Sequence, residues 1–330
     1  GFGLYRKYFK TTLEKLLIQF HVFRVGTYKS SLEPFLRDDM SQYAKEANLA
    51  WLTVLWDAFK DNLAELRDMD PKGIDDYINN ISEHLAGVEG DTARLAQEYG
   101  LVDELKTRDE VKDELIRLVG EDEDKNTFKQ IQLDEYLDLI RPKLVRTDPD
   151  TPKIGVIVAR GIILDGPQPA GKIGGDTLSD LIRKARHDDK IAAIVLRIDS
   201  PGGSALASET IRKEIKLTRQ AGKPVIASMS SIAASGGYWI SSAADEIWAS
   251  PTTITGSIGI YGAFVTLEKS LDSLGIHSDG VGTTRLSDAF DPARPLNTVV
   301  ADSMQQSIEN IYRRFIQLVA EGRNLEAQDV

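Results

Sequence analysis

The sequence predicts an α/β fold with mainly parallel strands. Three observations point to it. Past residue 150, apolar, β-branched runs alternate with amphipathic helical stripes, the texture of βαβ crossover units. Glycine-rich loops follow two successive strands, as they do where parallel strands end together. The composition is that of an ordinary globular chain long enough for two domains: 330 residues, 42% hydrophobic and 28% charged.

Residues 1–145 are mostly helical in pattern. His21–Val25 is a short strand-like run that ends in Gly26-Thr27-Tyr28-Lys29. Leu52, Leu55, Trp56, Phe59, Leu63 and Leu66 recur at three- and four-residue spacing and form one helical stripe. A helical pattern returns between Gly90 and Gly120, broken at Gly100, and Glu121–Lys125 is a solvated charge cluster. Residues 141–153, with Pro142, Pro149 and Pro152, read as an inter-domain linker. After it come a strand at Ile154–Ala159, a helix at Leu178–Arg186 and a strand at Ile191–Ile198. A helix at Ala205–Arg219, a buried strand at Pro224–Met229 and a short strand at Ile247–Ala249 follow.

The chain repeats itself. Thr12-Leu-Glu-Lys15 matches Thr266-Leu-Glu-Lys269, and Val25-Gly-Thr27 matches Val281-Gly-Thr283 after one small insertion. The stripe Leu52, Leu55, Trp56, Phe59, Leu63 then falls on Ile308, Ile311, Tyr312, Phe315, Val319. In this register the second unit begins near residue 153, and Lys29 corresponds to Arg285. The expectation is a tandem duplication cut at both ends, consistent with a start at Gly1 rather than Met.

Charge and composition exclude several classes. Forty Lys and Arg against 51 Asp and Glu, a net charge of −11, argue against a general nucleic-acid binder. With no cysteine there is no disulfide scaffold, thiolate nucleophile or zinc–thiolate site. No apolar run reaches the ~18 residues that span a bilayer. Gly166–Lys172 has phosphate-loop spacing, but Ile173 stands where Ser or Thr must hold magnesium, and Pro167 and Pro169 remove N–H donors. No cluster has metal-ligand spacing, so neither metal nor nucleotide cofactor is expected.

Three small-residue loops remain. In Asp199-Ser-Pro-Gly-Gly-Ser204, paired glycines reach backbone conformations closed to other residues and can turn N–H groups outward; the plainer reading is a tight turn. In Ala233-Ala-Ser-Gly-Gly-Tyr-Trp239, Ser235 is flanked by tiny residues, which suits a nucleophile on a sharp strand-to-helix turn and also suits an N-cap. Thr255-Gly-Ser-Ile-Gly259 supplies a third serine, Ser257. None of the four histidines, His21, His84, His187 and His277, has the setting of a triad base. A lysine can act instead if burial lowers its pKa from ~10.4. Lys29, after Val25-Gly-Thr27, is a candidate, although most lysines are solvated surface groups.

These loops, in this order, together with Phe23-Arg-Val-Gly-Thr-Tyr-Lys-Ser30, resemble the signal peptide peptidase A (protease IV) family in its long, duplicated bacterial form. The resemblance implies a ClpP/crotonase-like fold of repeated β-β-α units. Residues 1–145 would be the C-terminal part of a first repeat carrying the base lysine, and 146–330 a second, catalytic domain lacking its tail. It implies Ser235 as acyl-forming nucleophile and Lys29 as general base, reaching across the domain boundary. Ser257 would orient the lysine amine, and the N–H groups of Gly203 and Gly236 would form an oxyanion hole. Arg285 at the lysine's repeat position fits this, since a guanidinium stays protonated and cannot be the base. The implied activity is degradation of cleaved signal peptides and other apolar peptides. The implied setting is a homo-tetramer on the bacterial inner membrane facing the periplasm, held by an anchor absent from this chain. Alternatives of other kinds are a crotonase-like acyl-CoA hydratase or isomerase, with no use for Ser235, and an inactive scaffold subunit.

Overall fold

A computed structural model describes residues 1–124, 127–140, 151–281, 283–284 and 286–330. Most of the linker expected at 141–153, and Arg285, lie outside the described residues. The elements run α1 (Lys10–Lys15), β1 (Gln19–Val25), α2 (Glu33–Leu36), α3 (Gln42–Arg67), α4 (Pro71–Asn79), α5 (Ile81–Gly87), α6 (Thr92–Glu98), α7 (Arg108–Val119), β2 (Glu121–Asp122), β3 (Thr127–Phe128) and α8 (Leu133–Ile140). They continue with β4 (Lys153–Arg160), β5 (Ile163–Leu164), β6 (Ile173–Gly174), α9 (Gly175–His187), β7 (Ile191–Ser200), α10 (Ala205–Gln220) and β8 (Val225–Ala234). Last come α11 (Gly236–Ser241), β9 (Glu246–Trp248), β10 (Ile254–Gly256), β11 (Ile260–Thr266), α12 (Glu268–Ser273) and α13 (Thr298–Arg323).

The chain forms two compact units: one of Trp56–Thr151 with Gly1, the other of Phe2–Leu55 with Pro152–Val330. This division does not coincide with the one expected at 145/146. The reason is strand pairing: β1 joins β11 antiparallel over seven residues, from Gln19↔Thr266 to Val25↔Ile260. That ladder fixes the early segment, Lys29 included, within the unit that holds the glycine-rich loops.

In the smaller unit, helix starts are set by local capping. Asp70 caps α4 with Pro71 at its first position, Asp91 caps α6, and Thr107 with Glu110 forms a capping box on α7. The Trp56 indole and Lys60 ammonium both donate to Asp75, at 2.9 and 2.7 Å, tying α3 to α4. Part of the predicted stripe stays in the open: Phe59 is 47% exposed and Leu66 73%.

In the larger unit, β4, β7 and β8 pair in parallel, and β9 and β10 pair in turn with the other edge of β8. Strand positions therefore progress in one direction as the chain advances. Right-handed crossovers of such a series put every helix on the same face. Ile182, Ile194, Leu196, Ile198, Ile211 and Ile215, all essentially buried, make the core between α9, α10 and this sheet. The opposite face is open, so Ile154, Val156 and Val158 of β4 remain 63–65% exposed. An apolar run such as Ile154–Ala159 is expected to be covered on both faces; here only Ile157 and Ala159 are.

Candidate active site

The site forms where β7, β8 and β10 end, within the larger unit. Ser235 follows β8 directly and stands at the N-cap of α11, with φ 54° and ψ −118°. A non-glycine residue in that region carries strain of order 1–3 kcal/mol. Its neighbours hold it there. The Ser235 N–H donates to the Gly256 carbonyl at 2.8 Å, and its own carbonyl accepts from the Trp239 N–H at 2.9 Å. Small residues are required around it: a Cβ on Gly236 would come within 2.6 Å of Ser208 Oγ, and one on Gly237 within 2.7 Å of the Ser200 carbonyl.

The loop after β7 lies over this turn. Gly202 has φ +101°, and a Cβ there would meet the Gly236 nitrogen at 2.6 Å and Ser235 Cβ at 2.8 Å. Gly203 has φ +155°, and a Cβ would fall 2.0 Å from the Ile163 carbonyl oxygen. The Ile163 N–H donates to Gly202 and its carbonyl accepts from Ser204, which anchors the loop and leaves the Gly203 N–H unused. Among the described residues neither the Gly203 nor the Gly236 N–H has an acceptor. A Cβ on Gly236 would lie 3.1 Å from the Gly203 nitrogen, so the two N–H groups are neighbours.

Lys29 enters from the other side. The β1–β11 ladder brings Gly26 against Gly259, and a turn with the Lys29 N–H on the Gly26 carbonyl aims the side chain inward. Gly259 leaves room for it, since a Cβ there would lie 3.2 Å from Lys29 Cδ. Lys29 is 7% exposed. Its Nζ is 2.9 Å from Ser235 Oγ and 3.2 Å from both the hydroxyl and the carbonyl oxygen of Ser257, which has φ 53°. The nearest ring is that of Tyr261, with its centroid 5.9 Å from Nζ. Burial pushes the Lys29 ammonium down to about 8. The amine is therefore neutral in a sizeable fraction of molecules just above neutral pH.

All five residues singled out from sequence, Ser235, Lys29, Ser257, Gly203 and Gly236, thus converge on one cleft of about 500 Å³, which Ile162, Pro201 and Tyr261 also line. Among the described residues its wall carries no carboxylate. His21 and His277 are engaged elsewhere, with Thr266 and Asp272 respectively, each at 3.0 Å. Sequence reasoning missed Gly202 and Gly259 as individual contributors, although both lie in motifs that it did identify. It also missed an apolar cavity of about 810 Å³ that shares Ala205, Ile260 and Tyr261 with the cleft and continues past Phe290, Met304 and Ile308.

Such an arrangement can carry acyl transfer: a hydroxyl nucleophile, an amine in hydrogen-bond reach, and two free N–H groups beside the nucleophile. Comparison with known proteins points to peptidases. The model of "Peptidase family S49" matches residues 1–120 and 217–330, which include Lys29, Ser235 and Ser257. "Protease 4" of Salmonella typhi is 45% identical over 331 residues, covering 100% of this chain and 52% of its own length. "Protease 4" of Haemophilus influenzae is 43% identical over 98% of this chain and 52% of its own. "Serine protease SPPA, chloroplastic" of Arabidopsis thaliana is 33% identical over 94% of this chain and 45% of its own. The chain spans about half the length of these relatives. Among solved structures, a ClpP1 mutant from Listeria monocytogenes gives a TM-score of 0.31 at 16% identity, over 53% of this chain and 75% of its own, too low a score to carry an argument. On the family model's match across most of its length, the chain belongs to peptidase family S49, with the ClpP/crotonase-like fold of that family.

Proposed function

We propose that this chain is the catalytic part of a serine endopeptidase with a Ser235/Lys29 dyad, acting on cleaved signal peptides and other apolar peptides. The observation that carries the proposal is the 2.9 Å approach of a buried lysine, with no carboxylate beside it among the described residues, to the oxygen of a strained serine. Neutral Lys29 takes the Ser235 proton as Oγ attacks the peptide carbonyl carbon. The resulting oxyanion is held by the N–H groups of Gly203 and Gly236, each contributing roughly 3 kcal/mol to the transition state. Collapse breaks the C–N bond, and Lys29 gives its proton to the leaving amine. Water then attacks the Ser235 ester with Lys29 again as base, releasing the carboxylate and restoring the serine. Ser257 holds the amine between these steps, accepting from Nζ through both of its oxygens.

The adjoining apolar cavity favours peptides with apolar side chains near the cut. An acyl-CoA hydratase would need acid/base carboxylates in the cleft, and among the described residues its wall has none. The proposal extends to the setting: a homo-tetramer at the bacterial inner membrane with its catalytic body in the periplasm, built from two repeats of which the first supplies the lysine. Among the described residues no helix is long and apolar enough to cross a membrane. Incubating the chain with an apolar peptide and, separately, with an acyl-CoA thioester tests the reading. Peptide cleavage with a Ser235-acyl adduct in the mass spectrum is expected; thioester turnover without peptide cleavage, or inactivity on both, overturns it.

The glycine loop provides a further test. Gly202→Ala forces a methyl group into the Gly236 nitrogen and Ser235 Cβ, displacing an oxyanion donor. A kcat loss of at least about 100-fold is expected. Steady-state cleavage assays check it, and a fully active variant would contradict the placement of this loop over the nucleophile.

A further inference from the structure

Glu209 lies in the second turn of α10, the helix that begins two residues after Gly203. Its Oε2 accepts from Trp239 Nε1 at 3.0 Å and from Arg212 Nε at 2.7 Å. Its Oε1 accepts from Arg212 Nη2 at 3.0 Å and from Arg314 Nη2 at 2.7 Å. Desolvation pulls this carboxyl upward, but the bonds from Arg212, Trp239 and Arg314 outweigh it and hold the pKa at about 2. Glu209 is therefore an anion near neutral pH, joining α10, α11 and α13.

Trp239 is the link to the chemistry. It is 2% exposed, and its backbone N–H closes the first turn of α11 onto the Ser235 carbonyl. Its ring packs on Phe315 of α13, with centroids 4.5 Å apart, in a small core that also takes in Ile258 and Ile260. Those two residues flank Gly259 and follow Ser257, so the small core that holds this indole joins the helix after the nucleophile to the loop of the lysine's partner. The carboxylate that fixes the indole belongs to α10, the helix that starts two residues after Gly203.

We propose that Glu209, through its hydrogen bond to Trp239, is a positioning residue that sets the spacing of the Gly203 and Gly236 N–H donors around Ser235. Neither side chain touches substrate. The bond clamps α10 to α11 just beyond the two donors, where a small shift in either helix would open the pair. The inference rests on the serine-peptidase reading above.

Two variants of the full chain test it. Trp239→Phe keeps an aromatic ring against Phe315 and removes the indole donor; Glu209→Gln keeps the shape and removes the charge. Each is expected to lower kcat for peptide cleavage by about 10- to 100-fold with KM nearly unchanged. Affinity for a peptide boronate, whose adduct with Ser235 carries the tetrahedral geometry, should fall by the same factor. Binding of a non-covalent product peptide should stay constant. The double variant should lose less than the two single losses combined, since both weaken the same Glu209–Trp239 contact. Wild-type kcat and boronate affinity in Trp239→Phe, a loss confined to KM, or additive losses would each overturn the inference, even if Glu209→Gln fails to fold. Peptide cleavage absent from the wild type, or retained in Ser235→Ala, would instead overturn the peptidase reading and this inference with it.

Discussion

Ser235→Ala is expected to lower kcat for peptide cleavage by about 10⁴- to 10⁶-fold, leaving only the small rate that an oxyanion hole and substrate binding supply without a nucleophile. The change removes one oxygen atom. Ala233 and Ala234 already line the approach to the turn, and the bonds that fix the residue run through its backbone, from its N–H to Gly256 and from Trp239 to its carbonyl. The φ of 54° that strains a serine strains an alanine equally. Stability should therefore change by less than about 1 kcal/mol, so loss of activity cannot be read as loss of fold. Active-site titration with a mechanism-based acylating probe and a thermal melt measure the two effects: no label on the variant, and an unchanged melting temperature. Normal turnover by Ser235→Ala would sink the nucleophile assignment.

Lys29→Met carries the second large effect, with opposite signs for activity and stability. Without the amine, nothing else among the described residues of the cleft wall can take the serine proton, and a loss of about 10³-fold or more is expected. The fold, however, should become more stable. Lys29 falls from 10.5 to about 8 on burial, so at neutral pH the native state holds an ammonium it disfavours, at a cost of up to ~3 kcal/mol. The linkage has a definite direction. Between about pH 8 and 10.5 the unfolded chain binds more protons than the native one, so wild-type stability rises through that window. The advantage of Lys29→Met is therefore largest below pH 8 and vanishes above 10.5. Denaturant melts at several pH values measure it; a methionine variant less stable than wild type at pH 7 would contradict the desolvation account. Lys29→Arg should be inactive at every pH, because a guanidinium does not lose its proton.

Much of the site was legible before any coordinates because its demands are local. Gly202 and Gly203 stand where φ is positive and no Cβ fits, and Ser235 stands among residues too small to obstruct it. Residue type alone reports such constraints. Lys29 stood out after Val25-Gly-Thr27 only as one candidate among solvated lysines, and resemblance to a family singled it out. Its low pKa is made by Gly26, Gly259 and the loops bearing Ser235 and Ser257, and nothing in its own neighbourhood in sequence reveals that they surround it. Glu209 was invisible for a related reason: a glutamate three residues before an arginine on a helix reads as a solvated pair. Trp239 and Arg314 turn it into a junction, and both come from other helices.

The fold divides in the same way. β7, with its near-continuous apolar run, and the first half of β8, as a buried strand over Pro224–Met229, were visible from composition, and capping residues set the starts of α4, α6, α7 and α10. The exposed face of β4 was not visible, because it follows from the one-way strand order rather than from the strand's own residues. Nor was the joining of Phe2–Leu55 to the residues after Pro152, which depends on β1 finding β11. The repeat argument that sets Arg285 opposite Lys29 rests on the sequence alone.

The central claim is that neutral Lys29 is the base that activates Ser235, and the pH dependence of kcat/KM tests it most directly. Peptide cleavage measured from about pH 6 to pH 10 should show a single ascending limb, tenfold per pH unit, bending to a plateau at an apparent pKa of about 8. A profile flat across that range, or the same limb persisting in Lys29→Arg, would contradict it.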